Sequence, residues 1–547
     1  AKQKKAALAA SKSQPSSAKN SRPSTPTPSG PKTSSSSSKT PLKKSALAPQ
    51  AGPVSQLRQD LEGMNLVPSS SSLKEAEAAA QTTSQAPVVV SKVAKEKILE
   101  QVREKEKDEK PVLSLVVVGH VDAGKSTLMG RLLHELGVLS DRALQSNQRQ
   151  SEKIGKGSFA YAWTLDATDE ERERGVTIDV AIDGFETPSK RFTLIDAPGH
   201  RDFIPNMISG AAQADTAVLV IDGSNGGFEK GFEGNGQTRE HAVLVRSLGV
   251  QQLVVAINKL DAVRWAEARF ENIKEALIPF LSATGFHPSK VFFVPVGATS
   301  GENVVGRENE ILESWYNGPT LVQQLDQLDV PKRSLEAPLR IPVSNVFRGQ
   351  SATASGLAIS GRIESGIVQV GEELAALPGD GVGVVRSLEV DGMQVPWAVA
   401  GVNVTIFLAG IDPRNLSVGS ILCPTDQLVP VVSTFSAQII VFDLDYPIPS
   451  GASVELFHFS KDVPATISSL DAILDKVTGA VTKTKPRMLT KGTSARIHVQ
   501  LRNPTSGPAR KAEIPLETFA ANKSMGRVLF RRAGVTIAAG IVLEVGP

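Results

Sequence analysis

The sequence contains a single cysteine, Cys423, and lacks any long apolar run. One cysteine excludes a disulfide within the chain and argues against a cysteine-based zinc site. No apolar stretch reaches roughly 18 residues, and no apolar core follows the lysine-rich N-terminal segment, so neither a membrane-spanning helix nor a secretory signal is predicted. We therefore expect a protein of the reducing cytoplasm with no membrane partner.

Acidic residues are nearly absent from the first 60 positions, where eleven Lys and Arg accompany one acidic residue, Asp60. The remainder of the chain holds 49 basic and 56 acidic residues and is mildly acidic. Ser, Pro, Ala and Lys dominate the N-terminal segment, which cannot bury enough surface to offset the loss of chain entropy. We expect residues 1–92 to form a disordered tail, either a solvated linker or a basic segment that attracts RNA.

Charged residues dominate the next segment, 93–110, in which Ile98, Leu99 and Val102 are the only apolar positions from Lys95 onward. This pattern predicts a charged, exposed helix that leads into the first folded domain.

Strand and helix patterns alternate from residue 111 to residue 330. Apolar runs lie at 112–118, 192–195, 216–221, 253–257 and 291–296, and helical patterns lie at 201–212, 238–248 and 264–283. The alternation predicts a mostly parallel sheet wrapped by helices, with ligands bound at the carboxyl ends of its strands.

The pattern changes after Pro331, where short β-branched runs are separated by Gly, Pro, Asp and Asn turns. A Pro-containing break at 423–430 divides these runs into two sets. We predict two successive antiparallel β-barrels, at 336–427 and at 430–547, rather than one large sandwich.

The most specific motif is Gly-His-Val-Asp-Ala-Gly-Lys-Ser at 119–126, which follows the first apolar run and precedes a predicted helix. Such a P-loop directs backbone N–H groups and the positive end of the helix dipole at a polyphosphate. Lys125 then reaches the β- and γ-phosphates, and the Ser126 hydroxyl binds Mg²⁺. The predicted nucleotide-binding residues here are Gly119, His120, Val121, Asp122, Ala123, Gly124, Lys125, Ser126 and Thr127.

A second motif, Asn258-Lys259-Leu260-Asp261, follows the apolar run at 253–257 and indicates which base is bound. The Asp261 carboxylate can accept two hydrogen bonds from guanine, whereas adenine lacks both donors and would leave the carboxylate unpaired. Asn258 is expected to brace the loop and contact the base edge, and the Lys259 stem to pack on the base. The nucleotide is therefore predicted to be GTP or GDP.

Two segments between these motifs are predicted to sense the γ-phosphate. Asp196 can hold Mg²⁺ through water, Thr177 offers a second hydroxyl ligand, and the Gly199 N–H can meet a γ-oxygen. His200, directly after Asp-Ala-Pro-Gly, is the candidate for orienting the attacking water, since phosphoryl transfer depends on positioning and charge neutralisation. Contacts of this kind order a loop in the triphosphate state and release it on hydrolysis.

Further segments carry a family resemblance: Gly-Lys-Gly-Ser-Phe-Ala-Tyr-Ala-Trp (155–163), Glu-Arg-Glu-Arg-Gly-Val-Thr-Ile-Asp (171–179), Asp-Ala-Pro-Gly-His-Arg-Asp-Phe-Ile (196–204), Gly-Gln-Thr-Arg-Glu-His (236–241), Trp-Tyr-Asn-Gly-Pro-Thr-Leu (315–321) and Gly-Arg-Ile-Glu-Ser-Gly (361–366). They are similar to segments of the translational GTPases of the elongation factor one-alpha branch. The resemblance implies a P-loop α/β GTPase domain followed by two β-barrels, with the ribosome as the activator of GTP hydrolysis.

The resemblance also assigns residue roles. It implies that His200 is catalytic, that Val121 and Val176 form an apolar gate around it, and that Gly297 and Ala298 contact the base. A serine of the family is replaced by Gly297. Because this loop works through backbone N–H groups, we expect guanine binding to survive the replacement.

One segment separates members of the branch. Elongation factors have His-Thr-Ala-His-Ile-Ala-Cys-Lys-Phe in the third domain, whereas this chain has Glu-Leu-Phe-His-Phe-Ser-Lys-Asp-Val-Pro-Ala-Thr-Ile at 455–467. This difference and the long tail resemble the HBS-type ribosome-rescue GTPases, which partner the tRNA-mimicking factor Pelota in no-go and nonstop mRNA surveillance. The tail would then be a candidate contact for the mRNA-decay machinery. The alternatives are a eukaryotic release-factor-three type of termination GTPase, an aminoacyl-tRNA carrier and the GTPase subunit of sulfate adenylylation.

Overall fold

The computed structural model describes residues 94–153, 160–165, 168–174, 177–233, 236–350, 355–442, 444, 446–476, 478–503 and 512–546. The predicted disorder of the tail (1–92) and the predicted gate residue Val176 therefore lie outside the described residues. Within the described ranges, no helix has the length and apolar character needed to span a membrane.

The first domain is a six-stranded sheet with helices on both faces. Its strands are β1 (Val112–Gly119), β2 (Ala181–Glu186), β3 (Arg191–Asp196), β4 (Thr216–Asp222), β5 (Gln252–Asn258) and β6 (Val291–Pro295). Helix α1 (Lys95–Asp108) precedes the sheet, and the helices of the domain are α2 (Lys125–Glu135), α3 (Asp141–Lys153), α4 (Asp169–Arg174), α5 (Ile204–Ala211), α6 (Gly227–Phe232), α7 (Gln237–Leu248), α8 (Glu267–Thr284), α9 (Glu310–Glu313) and α10 (Leu321–Asp326).

The strand order is β2-β3-β1-β4-β5-β6, with only β2 antiparallel to its neighbour. Strand β1 is apolar at nearly every position because both of its faces are covered. Val116 and Val118 pack into the core on one face, and Leu115 and Val117 pack into the core on the other. The parallel strands therefore end at one edge, where the predicted motifs follow β1, β3, β5 and β6.

The second domain is a closed antiparallel barrel. Its strands are β7 (Ile341–Gln350), β8 (Ser355–Arg362), β9 (Ile367–Gln369), β10 (Glu373–Leu377), β11 (Gly381–Val390), β12 (Met393–Val395), β13 (Trp397–Val399), β14 (Asn403–Ala409) and β15 (Ile421–Pro424). Six of them form the ring β10-β15-β7-β8-β14-β11, which the β10–β11 pairing closes.

The third domain is a second closed antiparallel barrel. Its strands are β16 (Val431–Val432), β17 (Thr434–Val441), β18 (Ile448–Pro449), β19 (Ala452–His458), β20 (Lys461–Leu474), β21 (Val481–Thr484), β22 (Met488–Leu489), β23 (Ser494–Leu501), β24 (Ile514–Pro515), β25 (Arg527–Arg532) and β26 (Val535–Gly546). The ring β19-β25-β26-β17-β23-β20 closes through the β19–β20 pairing. The predicted fold class, an α/β domain followed by two antiparallel barrels, is confirmed.

Helix α1 carries exposed charged residues, but it also has a buried stripe that its charge density did not predict. Ile98 and Val102 are buried and pack against Ile367 of the second domain, next to Trp397 and Val399. The helix is charged on most of its surface, but it has a narrow apolar stripe. Ile98 and Val102 form this stripe because residues four positions apart lie on the same face of a helix. The stripe docks α1 onto the second barrel.

A buried carboxylate, Asp215, joins the first domain to the second. Its Oδ1 lies 2.6 Å from both Arg333 Nη1 and Arg362 Nη2, and Oδ2 accepts the Ser114 N–H at 3.0 Å. Burial opposes ionisation of Asp215, but the charges of Arg362 and Arg333 outweigh it and lower the pKa to about 2. Because this pKa lies below the usual 3.8, the stabilisation is present above about pH 4 and is lost as the pH falls towards 2.

Replacing Asp215 with asparagine is expected to weaken the junction by about 3 to 5 kcal/mol, because a buried guanidinium loses its counter-charge. Thermal unfolding at pH 7 would show the lost stability as a lower transition temperature, and limited proteolysis at the same pH would show it as faster cleavage. Asp183→Asn is the matched control, because Asp183 is only partly buried and its carboxylate accepts the N–H of the adjacent Gly184 rather than pairing with a buried guanidinium. Equal stability of the two variants would contradict the prediction.

Candidate functional site

The P-loop lies between β1 and α2 at the carboxyl edge of the sheet. Its turn is closed by two bonds to the His120 carbonyl, from the Ala123 N–H at 3.3 Å and from Lys125 Nζ at 3.2 Å. Lys125 is buried, and burial lowers its pKa, opposed by the charges of Asp196 and Asp122. Thr127 lies on the first turn of α2. The predicted phosphate-binding residues therefore form one continuous turn with a buried cation at its centre.

The three predicted Mg²⁺ ligands meet beside this turn. The Ser126 hydroxyl donates to Asp196 Oδ2 at 2.6 Å and lies 3.1 Å from the Thr177 hydroxyl. The other carboxylate oxygen, Asp196 Oδ1, is buried and has no hydrogen-bond partner within the described ranges. Burial raises the pKa of Asp196 to about 6, against the effects of the Ser126 hydrogen bond and the Lys125 charge. An unpartnered buried oxygen beside two hydroxyls suits a hard divalent cation such as Mg²⁺.

Asn258 joins three segments at the other end of the site. Its Nδ2 donates to the Ala123 carbonyl at 2.9 Å, and its Oδ1 accepts the Ala298 N–H at 2.9 Å. Asn258 therefore fixes the loop that contains Gly297 and Ala298 against the P-loop. These contacts brace the two loops in the way expected of Asn258. Both polar atoms of its side chain are bonded to backbone groups of the protein.

Lys259 and Asp261 lie on the turn that follows β5. Lys259 Nζ bonds the Asp122 carbonyl at 2.5 Å and Asp222 Oδ2 at 2.8 Å, so its stem crosses from this turn to the P-loop. Asp261 lies on the adjoining 3-10 turn (Leu260–Val263), and its side chain is exposed. Its carboxylate is thus accessible to a ligand.

The segment after β3 lies against the P-loop. A Cβ added at Gly199 would collide with Lys125 Nζ, so the backbone at this position directly adjoins the lysine predicted to bind the phosphates. His200 follows and begins a 3-10 turn, with Nδ1 accepting the Asp202 N–H at 3.3 Å. In the neutral ring the proton is then on Nε2. The His200 side chain is 44% exposed, and Val121 is half-buried in the P-loop.

Two residues of the site were missed from the sequence. The buried His241 accepts the Gly119 N–H on Nδ1 at 3.2 Å, and burial lowers its pKa to about 3, which keeps it neutral. Glu171 accepts the N–H groups of Thr168, Ile178 and Asp179 and thereby shapes the backbone that presents Thr177. His241 lies in the segment 236–241 and Glu171 in the segment 171–179. The family resemblance of these two segments was the sequence feature that could have indicated both residues.

Comparison with known proteins identifies the family. The model of the elongation factor Tu GTP binding domain matches residues 110–331, that of elongation factor Tu domain 2 matches 356–423, and that of the GTP-eEF1A C-terminal domain matches 434–543. Protein HBS1 of Drosophila melanogaster is 44% identical over 467 residues, covering 84% of this chain and 68% of that protein. The chain belongs to the translational GTPases of the elongation factor one-alpha branch.

Other relatives agree with this assignment. Elongation factor 1-alpha of Pyrobaculum calidifontis is 41% identical to this translational GTPase over 439 residues, covering 80% of this chain and 96% of that protein. The Ski7 GTPase-like domain of S. cerevisiae, solved with GTP, superimposes with a TM-score of 0.67 at 20% identity, covering 81% of this chain and 99% of that one. The Ski7 likeness supports the fold alone. The 44% identity to Protein HBS1 confirms the predicted resemblance to HBS-type members.

The site of this translational GTPase fits the ligands of its family. The backbone turn of the P-loop and the buried Lys125 suit a polyphosphate. The cluster of oxygen atoms from Ser126, Thr177 and Asp196 suits Mg²⁺. GTP, GDP and Mg²⁺ are accordingly its cofactors, and GTP hydrolysis is its chemistry.

Proposed function

We propose that this chain is a GTP-driven switch that delivers a Pelota-like, tRNA-mimicking factor to stalled cytoplasmic ribosomes and releases it after hydrolysis. The proposal includes the individual roles predicted above: Asp261 for the guanine base, Lys125 for the phosphates, Ser126, Thr177 and Asp196 for Mg²⁺, and His200 for the attacking water. Mg²⁺ would supply charge neutralisation at the β- and γ-phosphates. The 44% identity to Protein HBS1 supports the rescue role.

The release step is supported by one contact. Helix α5 begins immediately after the 3-10 turn that His200 starts, and its Ser209 hydroxyl lies 2.6 Å from the Ser460 hydroxyl of the third barrel. A change in the backbone around Gly199 and His200 can thus reach the third domain through a single short helix. This is the link that a switch needs between nucleotide state and cargo binding.

The segment that differs from elongation factors also lies at this junction. Residues 455–467 form the hairpin of β19 and β20, and Phe457 of this hairpin packs into a core shared with the first domain. His458 is buried, with Nε2 2.9 Å from the Met525 carbonyl. The family's aminoacyl-tRNA carriers have another sequence here, which favours a protein cargo over an aminoacyl-tRNA.

Activation by the ribosome is supported by the exposure of His200. Because 44% of this side chain is open to solvent, an external surface can contact it and fix the ring beside the attacking water. Intrinsic hydrolysis is expected to be slow without that contact.

Retention of purified factors by the full-length chain tests the proposed cargo. The chain loaded with a non-hydrolysable GTP analogue should retain a Pelota-type protein more strongly than a stop-codon release factor, and the GDP-loaded chain should retain less. Preference for the release factor would overturn the rescue role in favour of termination. Protection of an aminoacyl ester by the GTP-bound chain would instead indicate an aminoacyl-tRNA carrier. GTP-dependent adenylyl transfer to sulfate would indicate the GTPase subunit of sulfate adenylylation.

A further inference from the structure

Trp265 has a strained backbone next to the base-binding end of the site. Arg264 and Trp265 have φ values of +54° and +56°, in the left-handed region that residues with a Cβ rarely adopt. The Trp265 N–H donates to the Leu260 carbonyl at 2.9 Å, and its carbonyl accepts Trp315 Nε1 at 2.9 Å. Only 5% of Trp265 is exposed. Such strain persists where the surroundings determine it, often at ligand sites.

The indole of Trp265 lies against Gly297. A Cβ added at Gly297 would lie 3.1 Å from Cη2 and 3.2 Å from Cζ2 of the indole, and 2.6 Å from the Ser300 hydroxyl. The Ser300 hydroxyl can rotate away from an added methyl group. The indole cannot move in the same way, because it is buried in the hydrophobic core of the first domain, where packing leaves little free space. The ring therefore limits how closely the backbone at 297 can approach it.

Trp265 and Asn258 support the same loop from two sides. Asn258 holds the Ala298 N–H by a hydrogen bond, while the indole contacts the preceding residue, Gly297. Trp265 is also bonded to the Leu260 carbonyl, within the 3-10 turn that contains Asp261. The two segments proposed to contact guanine are therefore connected through one residue, whose indole lies against Gly297 and whose backbone N–H is bonded to Leu260.

We propose that Trp265 is a positioning residue for guanine binding. Its indole sets the separation between the Gly297–Ala298 loop and the turn that contains Asp261, and thereby the affinity for GDP and GTP. The inference rests on the proposed assignment of these two segments to the base. Nucleotide affinity depends on this separation because both segments must reach the same planar base at once.

A double-mutant cycle tests the proposal, with GDP affinity measured on the full chain for Gly297→Ala, Trp265→Phe and the pair. Phenylalanine keeps an aromatic ring but lacks the indole atoms nearest to Gly297. Gly297→Ala should weaken GDP binding about tenfold when Trp265 is present, because overpacking displaces the loop. In the Trp265→Phe background the same change should cost less than about twofold. Trp397→Phe, on the second barrel, should leave the affinity unchanged.

Equal losses in the two backgrounds, or no loss from Gly297→Ala, would overturn the proposal. A second arm combines Gly297→Ala with Ser300→Ala and remains informative even if Trp265→Phe does not fold. If removing the Ser300 hydroxyl restores GDP affinity, the serine rather than the indole limits the loop, and the proposal is overturned. Retention of the full loss supports the indole.

The same binding assay distinguishes this inference from its premise. If Asp261→Asn leaves the preference for guanine unchanged, the base assignment itself is wrong. If Asp261→Asn changes the base preference and the cycle shows no coupling, only the role of Trp265 is overturned. Retention of the Pelota-type factor is measured separately and tests the cargo.

Discussion

Replacing Asp261 with asparagine is expected to change the base preference of the chain from guanine to xanthine nucleotides. The carboxylate can accept two hydrogen bonds from guanine, whereas the amide can donate one to the carbonyl that xanthine has in place of the amino group. GDP affinity should fall about 100-fold or more, since hydrogen bonds to a charged group are among the stronger ones. The carboxylate is exposed on the 3-10 turn, ready to meet a base.

Competition binding with GDP and XDP measures this change directly. The rise in XDP affinity is the internal control, because a variant that has merely lost its fold would bind neither nucleotide. Unchanged GDP affinity would refute the assignment of Asp261 to the base.

Replacing His200 with alanine is expected to abolish ribosome-stimulated hydrolysis while nucleotide binding remains. One ring nitrogen is occupied by the Asp202 N–H, so Nε2 is the atom available to the attacking water. Loss of a positioned catalytic group typically costs about 100- to 10,000-fold in rate. GTP affinity should stay within about twofold, because the contacts predicted for the phosphates come from other residues.

His287→Ala is a matched control for this variant. His287 begins another 3-10 turn of the same domain and accepts the Ser289 N–H on Nδ1 at 3.3 Å, as His200 does with Asp202. Losing the turn contact alone should therefore leave stimulated turnover intact in His287→Ala. Stimulated turnover that persists in His200→Ala would show that another residue orients the water.

Much of the site could be predicted from the sequence because its parts are local. The P-loop, the segment of Asp196 and the motif at 258–261 each directly follow an apolar run, and parallel strands bring their carboxyl ends to one edge. The meeting of Ser126 and Asp196, separated by 70 positions, follows from this geometry and from the pairing of β1 with β3. Thr177 lies on the segment before β2, and its place beside Ser126 does not follow from the strand ends.

Other features depend on contacts that no local pattern encodes. The docking of α1 needs a complementary apolar patch on β9 and β13, about 270 positions or more further along the chain than Ile98. The partner of Gly119, at the end of β1, is His241 on helix α7. The indole on Gly297 comes from the turn after β5, whereas Gly297 follows β6. Spacing within a motif carries no information about such distant pairs.

The docking of α1 also restricts movement within the chain. Only residues 109–111 separate the end of α1 from the start of β1, so the link from Asp108 to Val112 extends at most about 14 Å. One end of this link is fixed to the second barrel through Ile98 and Val102, and the other end continues into the strand that leads to the P-loop. While α1 stays docked, this short link limits how far the second barrel can move away from the sheet. A larger movement requires α1 to detach from the barrel first.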